Sequence, residues 1–241
     1  MQHIYLVYLI LFFSSLIRST FGFGDALVAM PLLALVIGLK TATPLVALVA
    51  STIGLSILIR NWRKVRVHSA WRLIASAALG IPLGLLLLKG AYEDVLKVIL
   101  AAVLIGFGVY SLARPRLITI RGEKPAFAFG FIAGILGGAY NSNGPPVVIY
   151  GTLKRWDPET FRATLQGFLF PTSLFILAGH GLAGLWTTPV IRTYLYALPL
   201  VFAAVYLGGR INRVFSTERF SRWVYVLLIA LGLLLLGEAL I

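Results

Sequence analysis

The chain contains no cysteine, so neither a disulfide nor a thiolate metal site is available to it. Acidic residues are scarce, 8 against 21 Lys and Arg, and charged residues of both signs make up only 12%. Catalytic signatures are missing too. There is no His-Glu-x-x-His, no Walker loop and no nucleophile with a base close by, while His3, His68 and His180 lack metal-ligand spacing. An ATP-driven pump within this chain is therefore excluded, and no cofactor or metal is expected.

What remains is apolar. Hydrophobic residues reach 59%, outside the range of soluble domains, and runs at 4–16, 45–59, 73–88, 95–112, 127–139, 168–177, 194–207 and 224–236 are separated by short polar loops. This is the pattern of an all-α polytopic membrane protein whose partner is the lipid bilayer. A net charge of +13 could suggest nucleic acid, but in so apolar a chain the basic residues are read as topology determinants. The start Met1-Gln2-His3 lacks the basic region of a cleavable signal peptide, so 4–16 is expected to stay as membrane helix.

Two interruptions stand out. The first apolar run reaches Arg18 and breaks at Phe21-Gly22-Phe23-Gly24-Asp25. Charges near membrane depth usually face a bundle interior and pair, which predicts contact between Arg18 and Asp25; the alternatives are an interfacial Arg18 and an Asp25 that only caps the next half-helix. The second break, at 138–146, sets Asn141, Ser142 and Asn143 and the pair Pro145-Pro146 inside apolar sequence. Irregular backbone at that depth is tolerated only when wrapped in protein or lining a wet cavity, so this stretch is read as the floor of a binding site.

Charge parity orients the chain. With the basic loop 60–66 and the linker 114–124 cytoplasmic, a single crossing over 127–153 would put Lys154, Arg155, Arg162, Arg210, Arg213, Arg219 and Arg222 outside, against the positive-inside bias. Two full crossings need roughly 20 residues each, and about 27 are present, so the segment is expected to enter, break at 141–146 and leave by the same face. His180 falls in the glycine-rich loop 179–188, expected outside and solvated. Lys40-Thr41-Ala42-Thr43-Pro44 is expected to start the next helix of the first half with its proline in the first turn, and Glu93-Asp94 to open another helix.

The halves repeat in weak register: Gly24-Asp25 against Asn143-Gly144, Val28 against Val147, Thr41 against Thr160, Gly84 against Gly208 and Gly108 against Gly232. The expected organisation is a first repeat at 1–113, a cytoplasmic linker at 114–124 and a second repeat at 125–241. Each repeat holds a broken re-entrant hairpin and three transmembrane helices, in inverted topology. Helices restarting at Ala26 and Pro145 would oppose their N-termini and form an anion site. Asn141, Ser142 and Asn143 add donors, while Gly22, Gly24 and Gly144 allow close backbone approach. Arg162 and Gln166 share a face of the helix after the second hairpin, where Arg162 is either an attracting cation or an interface anchor. Thr43, Ser51 and Thr52 line the site or bond neighbouring carbonyls.

Gly22-Phe23-Gly24-Asp25 with Pro31-Leu32-Leu33, then Ala42-Thr43-Pro44-Leu45, then the segment 134–146, resemble the sulfite exporter TauE/SafE family through nearly the whole chain. The resemblance implies a multi-pass bacterial inner-membrane transporter of sulfur-containing oxyanions or organosulfonates, built from two related halves. The chain departs from the family's commoner triple-glycine pattern with Gly24-Asp25-Ala26 and Asn143-Gly144-Pro145, which puts extra polar groups where the substrate would be selected. A secondary exporter of small anions is the leading reading; an intramembrane enzyme or a membrane assembly factor is the alternative, and a homodimer is left open.

Overall fold

Backbone polar groups in hydrocarbon must find partners within their own segment, and the apolar runs of this chain do so by forming helices. A computed structural model describes residues 4–61, 67–113, 119–120, 122–211 and 217–240, with no strand among them. The helices are α1 (Ile4–Phe21), α2 (Asp25–Ile37), α3 (Leu39–Asn61), α4 (Val67–Gly90), α5 (Glu93–Ala113), α6 (Pro125–Tyr140), α7 (Gly144–Leu153), α8 (Pro158–Leu182), α9 (Thr188–Ile211) and α10 (Thr217–Ala239). The basic loop 62–66, the linker residues 114–118 and 121, Arg213, and the side chains of Arg162 and Arg219 lie outside the described residues.

Seven of the described helices, α1, α3, α4, α5, α8, α9 and α10, are long and apolar enough to cross a membrane, which makes the chain a polytopic helical membrane protein. The other three are too short. With 13, 16 and 10 residues, α2, α6 and α7 rise about 20, 24 and 15 Å, less than the roughly 30 Å of a hydrocarbon core.

The breaks are built alike. Gly22 (φ 87°) and Asn141 (φ 53°) both turn left-handed, a conformation glycine adopts freely and asparagine tolerates. Gly22 N–H closes α1 on the Arg18 carbonyl at 2.6 Å. In α6 the N–H groups of Asn141 and Ser142 reach the carbonyls of Gly137 (2.8 Å) and Leu136 (3.2 Å), and the first of these is the bond of an αL helix ending.

Polar contacts sort the helix ends into two groups. Ile120 N–H donates to the Leu153 carbonyl at 3.1 Å, so the segment before α6 meets the end of α7. Lys154 Nζ reaches the Gly122 carbonyl (2.9 Å) and Glu123 Oε1 (2.8 Å), and Arg72 of α4 stands 3.7 Å from Glu123 Oε2. The hydrogen bond from Lys154 holds the Glu123 carboxyl below the usual carboxylate range. At the far end of α4, Lys89 Nζ donates to the Ala183 carbonyl just beyond α8 (3.1 Å), and Lys97 pairs with Glu238 of α10 (2.8 Å).

Glycine sets the closest packing. A Cβ at Gly80 or Gly84 of α4 would collide with the Phe131 or Ile135 carbonyl of α6, and one at Gly134 with the Ala77 carbonyl. Between α9 and α1, a Cβ at Gly208 would meet Ser19 Cβ at 2.6 Å and the Leu16 carbonyl at 2.9 Å. Gly108 of α5 and Gly232 of α10 face one another's helices in reciprocal fashion, Gly108 against Tyr225 and Ile229, Gly232 against Ala101 and Ile105. Such small residues let membrane helices approach backbone to backbone.

Three expectations need correction. Helix α3 starts at Leu39, so Pro44 sits a turn deeper than its first turn; Glu93 Oε1 accepts the Leu39 N–H at 3.0 Å and caps the earlier start. Helices α2 and α7 begin one residue before Ala26 and Pro145, at Asp25 and Gly144. His180 is not in a loop: α8 runs on to Leu182, His180 is fully buried, and its Nε2 lies 3.1 Å from the Gly138 carbonyl. That carbonyl offers the ring a partner inside the bundle.

Candidate functional site

The two breaks come together. Arg18 of α1, residues 23–27 at the first break and the start of α2, and residues 141–145 at the second break and the start of α7 line one cavity. Ala50 of α3 and Leu169 and Ser173 of α8 complete its wall, midway along those two helices.

The predicted ion pair is there. Arg18 Nη1 donates to Asp25 Oδ2 at 2.8 Å, with both side chains more than nine-tenths buried, while Arg18 Nε has no partner among the described residues. Two charges this deep demand each other, because stripping either of water without its counter-charge costs several kcal/mol (about 3–5). Among the described residues, Arg18 and Asp25 are the only formally charged ones lining the cavity, and they cancel.

The polarity that is not cancelled comes from helix ends. No side chain caps the N-terminus of α2, where Gly24 (φ 99°) is the N-cap, or that of α7, where Asn143 is. The contrast is α8, whose Asp157 accepts the N–H groups of Glu159 (3.1 Å) and Thr160 (3.0 Å). An uncapped, buried N-terminus carries unpaired donors and a partial positive charge. At α7 the donor supply is smaller than expected, because Pro145 and Pro146 have no N–H to offer. Asn141 makes up for it: its side chain is buried, lines the cavity and makes no hydrogen bond among the described residues.

The remaining predicted residues divide. Asn143 Nδ2 donates to Thr172 Oγ1 (2.9 Å), which in turn donates to the Phe168 carbonyl (2.7 Å), and Ser142 Oγ donates to the Tyr140 carbonyl (3.2 Å). Both line the cavity with their side chains partly engaged. Gly24, Gly144 and Pro145 line it as well, whereas Gly22, Thr43 and Gln166 do not. Gln166 Nε2 instead donates to the Gly22 carbonyl (2.9 Å), tying α8 to the first break. The Thr43 hydroxyl donates to the Leu39 carbonyl (2.8 Å) and lies 3.2 Å from that of Ala139. Thr52 pairs with Tyr194 at 2.8 Å, and Ser51 Oγ is buried without a partner.

Helix α8 was underread in the sequence. Through Gln166, Thr172 and His180 it bonds the first break, the second break and the α6 backbone just before it. The signal was present: Thr172-Ser173 is a polar pair in the middle of an apolar run, as Ser51-Thr52 is in α3.

Comparison with known proteins agrees with this architecture. A family model described as sulfite exporter TauE/SafE matches residues 7–235. A protein named probable sulfite/organosulfonate exporter TauE, from Cupriavidus necator strain H16, is 27% identical over 173 residues, 68% of this chain and 68% of that protein. No solved structure matches. With the match running through nearly all of its helices, the chain belongs to the sulfite exporter TauE/SafE family, whose members are transporters and not enzymes.

Proposed function

We propose that this protein exports small sulfur-containing anions, of the sulfite or organosulfonate type, across the bacterial inner membrane by alternating access around the cavity between its two breaks. The observation that carries this reading is the convergence of two uncapped helix N-termini and the unpartnered Asn141 carboxamide on a cavity whose described lining carries no net formal charge. Such a site holds an anion through dipoles and hydrogen bonds, which bind without gripping as a bare cation would. The substrate class follows the family and the name of the Cupriavidus relative.

The wider architecture in this reading is two inverted repeats, 1–113 and 125–241, joined by a cytoplasmic linker at 114–124. Three contacts support it. Under the register that sets Gly24 against Asn143, Leu16 and Ser19 occupy the places of Ile135 and Gly138, and these are the residues that Gly208 and Gly84 approach. The reciprocal packing of Gly108 and Gly232 is what a two-fold axis between α5 and α10 would produce. The meeting of Ile120 with Leu153 favours a second hairpin that enters and leaves at one end of the bundle. The repeats then rock against each other about the cavity.

The test is calorimetric binding of sulfite, thiosulfate and methanesulfonate to purified protein, followed by flux from proteoliposomes. Binding that survives Asn141→Ala and Gly144→Val but is abolished by Arg210→Ala would move the site elsewhere.

A further inference from the structure

The cavity carries an anion of its own. Asp25 stands in the first turn of α2, at the uncapped N-terminus that would otherwise attract a ligand, and it takes one N–H from Arg18. Arginine and carboxylate at their strongest meet through two parallel bonds; this pair has one, and Arg18 Nε is left buried without a partner among the described residues. A purely structural pair in so dry a place gains by using both. Resting on the anion-site reading above, we propose that Asp25 is a tethered competitor: it occupies Arg18 beside the uncapped α2 N-terminus, a substrate anion displaces it, and its charge sets how strongly the site prefers one anion charge over another.

With Asp25 present the described lining carries Arg18 and Asp25 in balance, so a dianion gains little over a monoanion. Replace the carboxylate by an uncharged isostere and the lining carries one net positive charge. The attraction of a fixed charge for a ligand scales with the ligand's charge, so whatever factor a monoanion gains, a dianion gains roughly its square. In the native site the competitor thus keeps dianions from binding too tightly to leave, which is what an exporter needs.

The experiment is calorimetric titration of purified protein at one pH and ionic strength with methanesulfonate as monoanion and thiosulfate as dianion. Asp25→Asn is expected to tighten methanesulfonate about tenfold and thiosulfate about a hundredfold, so that their ratio shifts about tenfold. Asp25→Glu keeps the native ratio, and the double variant Arg18→Gln with Asp25→Asn, again without net charge, returns to it. Folded Asp25→Asn protein with an unchanged ratio, or with weaker binding of both anions, overturns the proposal. Should that variant fold only with a ligand, thiosulfate during extraction restores it if Asp25 is a competitor. Failure of that rescue while the double variant folds overturns the proposal and leaves a structural pair. If the native protein binds neither anion, the anion-site reading itself has failed, an outcome distinct from a failure of the competitor.

Discussion

At the scale of single residues, Asn141 carries the heaviest demand. Its left-handed backbone ends α6, and its side chain is the buried polar group of the second break that no described residue engages. Asn141→Ala should weaken sulfite binding by about ten- to a hundredfold, corresponding to about 1.5–3 kcal/mol for a hydrogen bond to a charged ligand. Isothermal titration checks it. Asn143→Ala acts differently, because its amide is already bonded to Thr172. It should lower affinity less, and it should lower thermal stability by about 1 kcal/mol, the net worth of a buried hydrogen bond; Thr172→Val should reproduce that stability loss.

Among the elements, the pairing of α4 with α6 decides where the second break lies. Gly80 and Gly84 on one helix and Gly130, Gly134 and Gly138 on the other bring the backbones together over three turns, and α6 runs directly into Asn141. Gly84→Ala puts a methyl onto the Ile135 carbonyl and must push the helices apart, so a loss of about 1–3 kcal/mol is expected. Gly106→Ala in α5 is the control: apart from its own stretch of helix, no described atom lies within 4 Å of a Cβ placed there, and the helix should gain about 0.5–1 kcal/mol from losing a glycine. Thermal unfolding of both variants in one detergent separates the two signs.

On the scale of the whole molecule, the hairpin and the potential make independent predictions. Single cysteines are easily placed because the chain has none of its own. Cysteines at Lys124 and Arg155 should be shielded from an impermeant reagent applied outside, and one at Gly184 should react; labelling of Arg155 from outside rules out the same-face hairpin. Energetics follow from charge. An inside-negative potential is worth about 2.3 kcal/mol per charge per 100 mV, so a leaving monoanion runs downhill and a dianion twice as steeply. Export therefore needs no coupling ion, and Asp25, already bonded to Arg18, is not required to carry a proton. Sulfite efflux from proteoliposomes should follow an imposed potassium diffusion potential at equal pH. Efflux that ignores the potential, follows a pH gradient and loses that dependence in Asp25→Asn would instead assign proton coupling to Asp25.

Composition and order along the chain determined the membrane setting, the approximate spans and the two breaks, because apolar length and the cost of unpaired backbone in hydrocarbon are local properties. Arg18 and Asp25 were legible as a pair for the same reason: two opposite charges in one apolar stretch have little else to meet. The break residues likewise announced themselves by composition. The tertiary structure decided which polar groups remain available. Nothing in the sequence says that Thr172 engages Asn143 while Asn141 is left to the cavity, or that His180 turns inward to Gly138, since each depends on where α8 lies against α6 and α7. Gln166 was picked out by its helical face, yet it holds the Gly22 carbonyl and leaves the cavity to others. Side-chain direction across a helix contact is set by packing between segments far apart in the chain, and no local pattern encodes it.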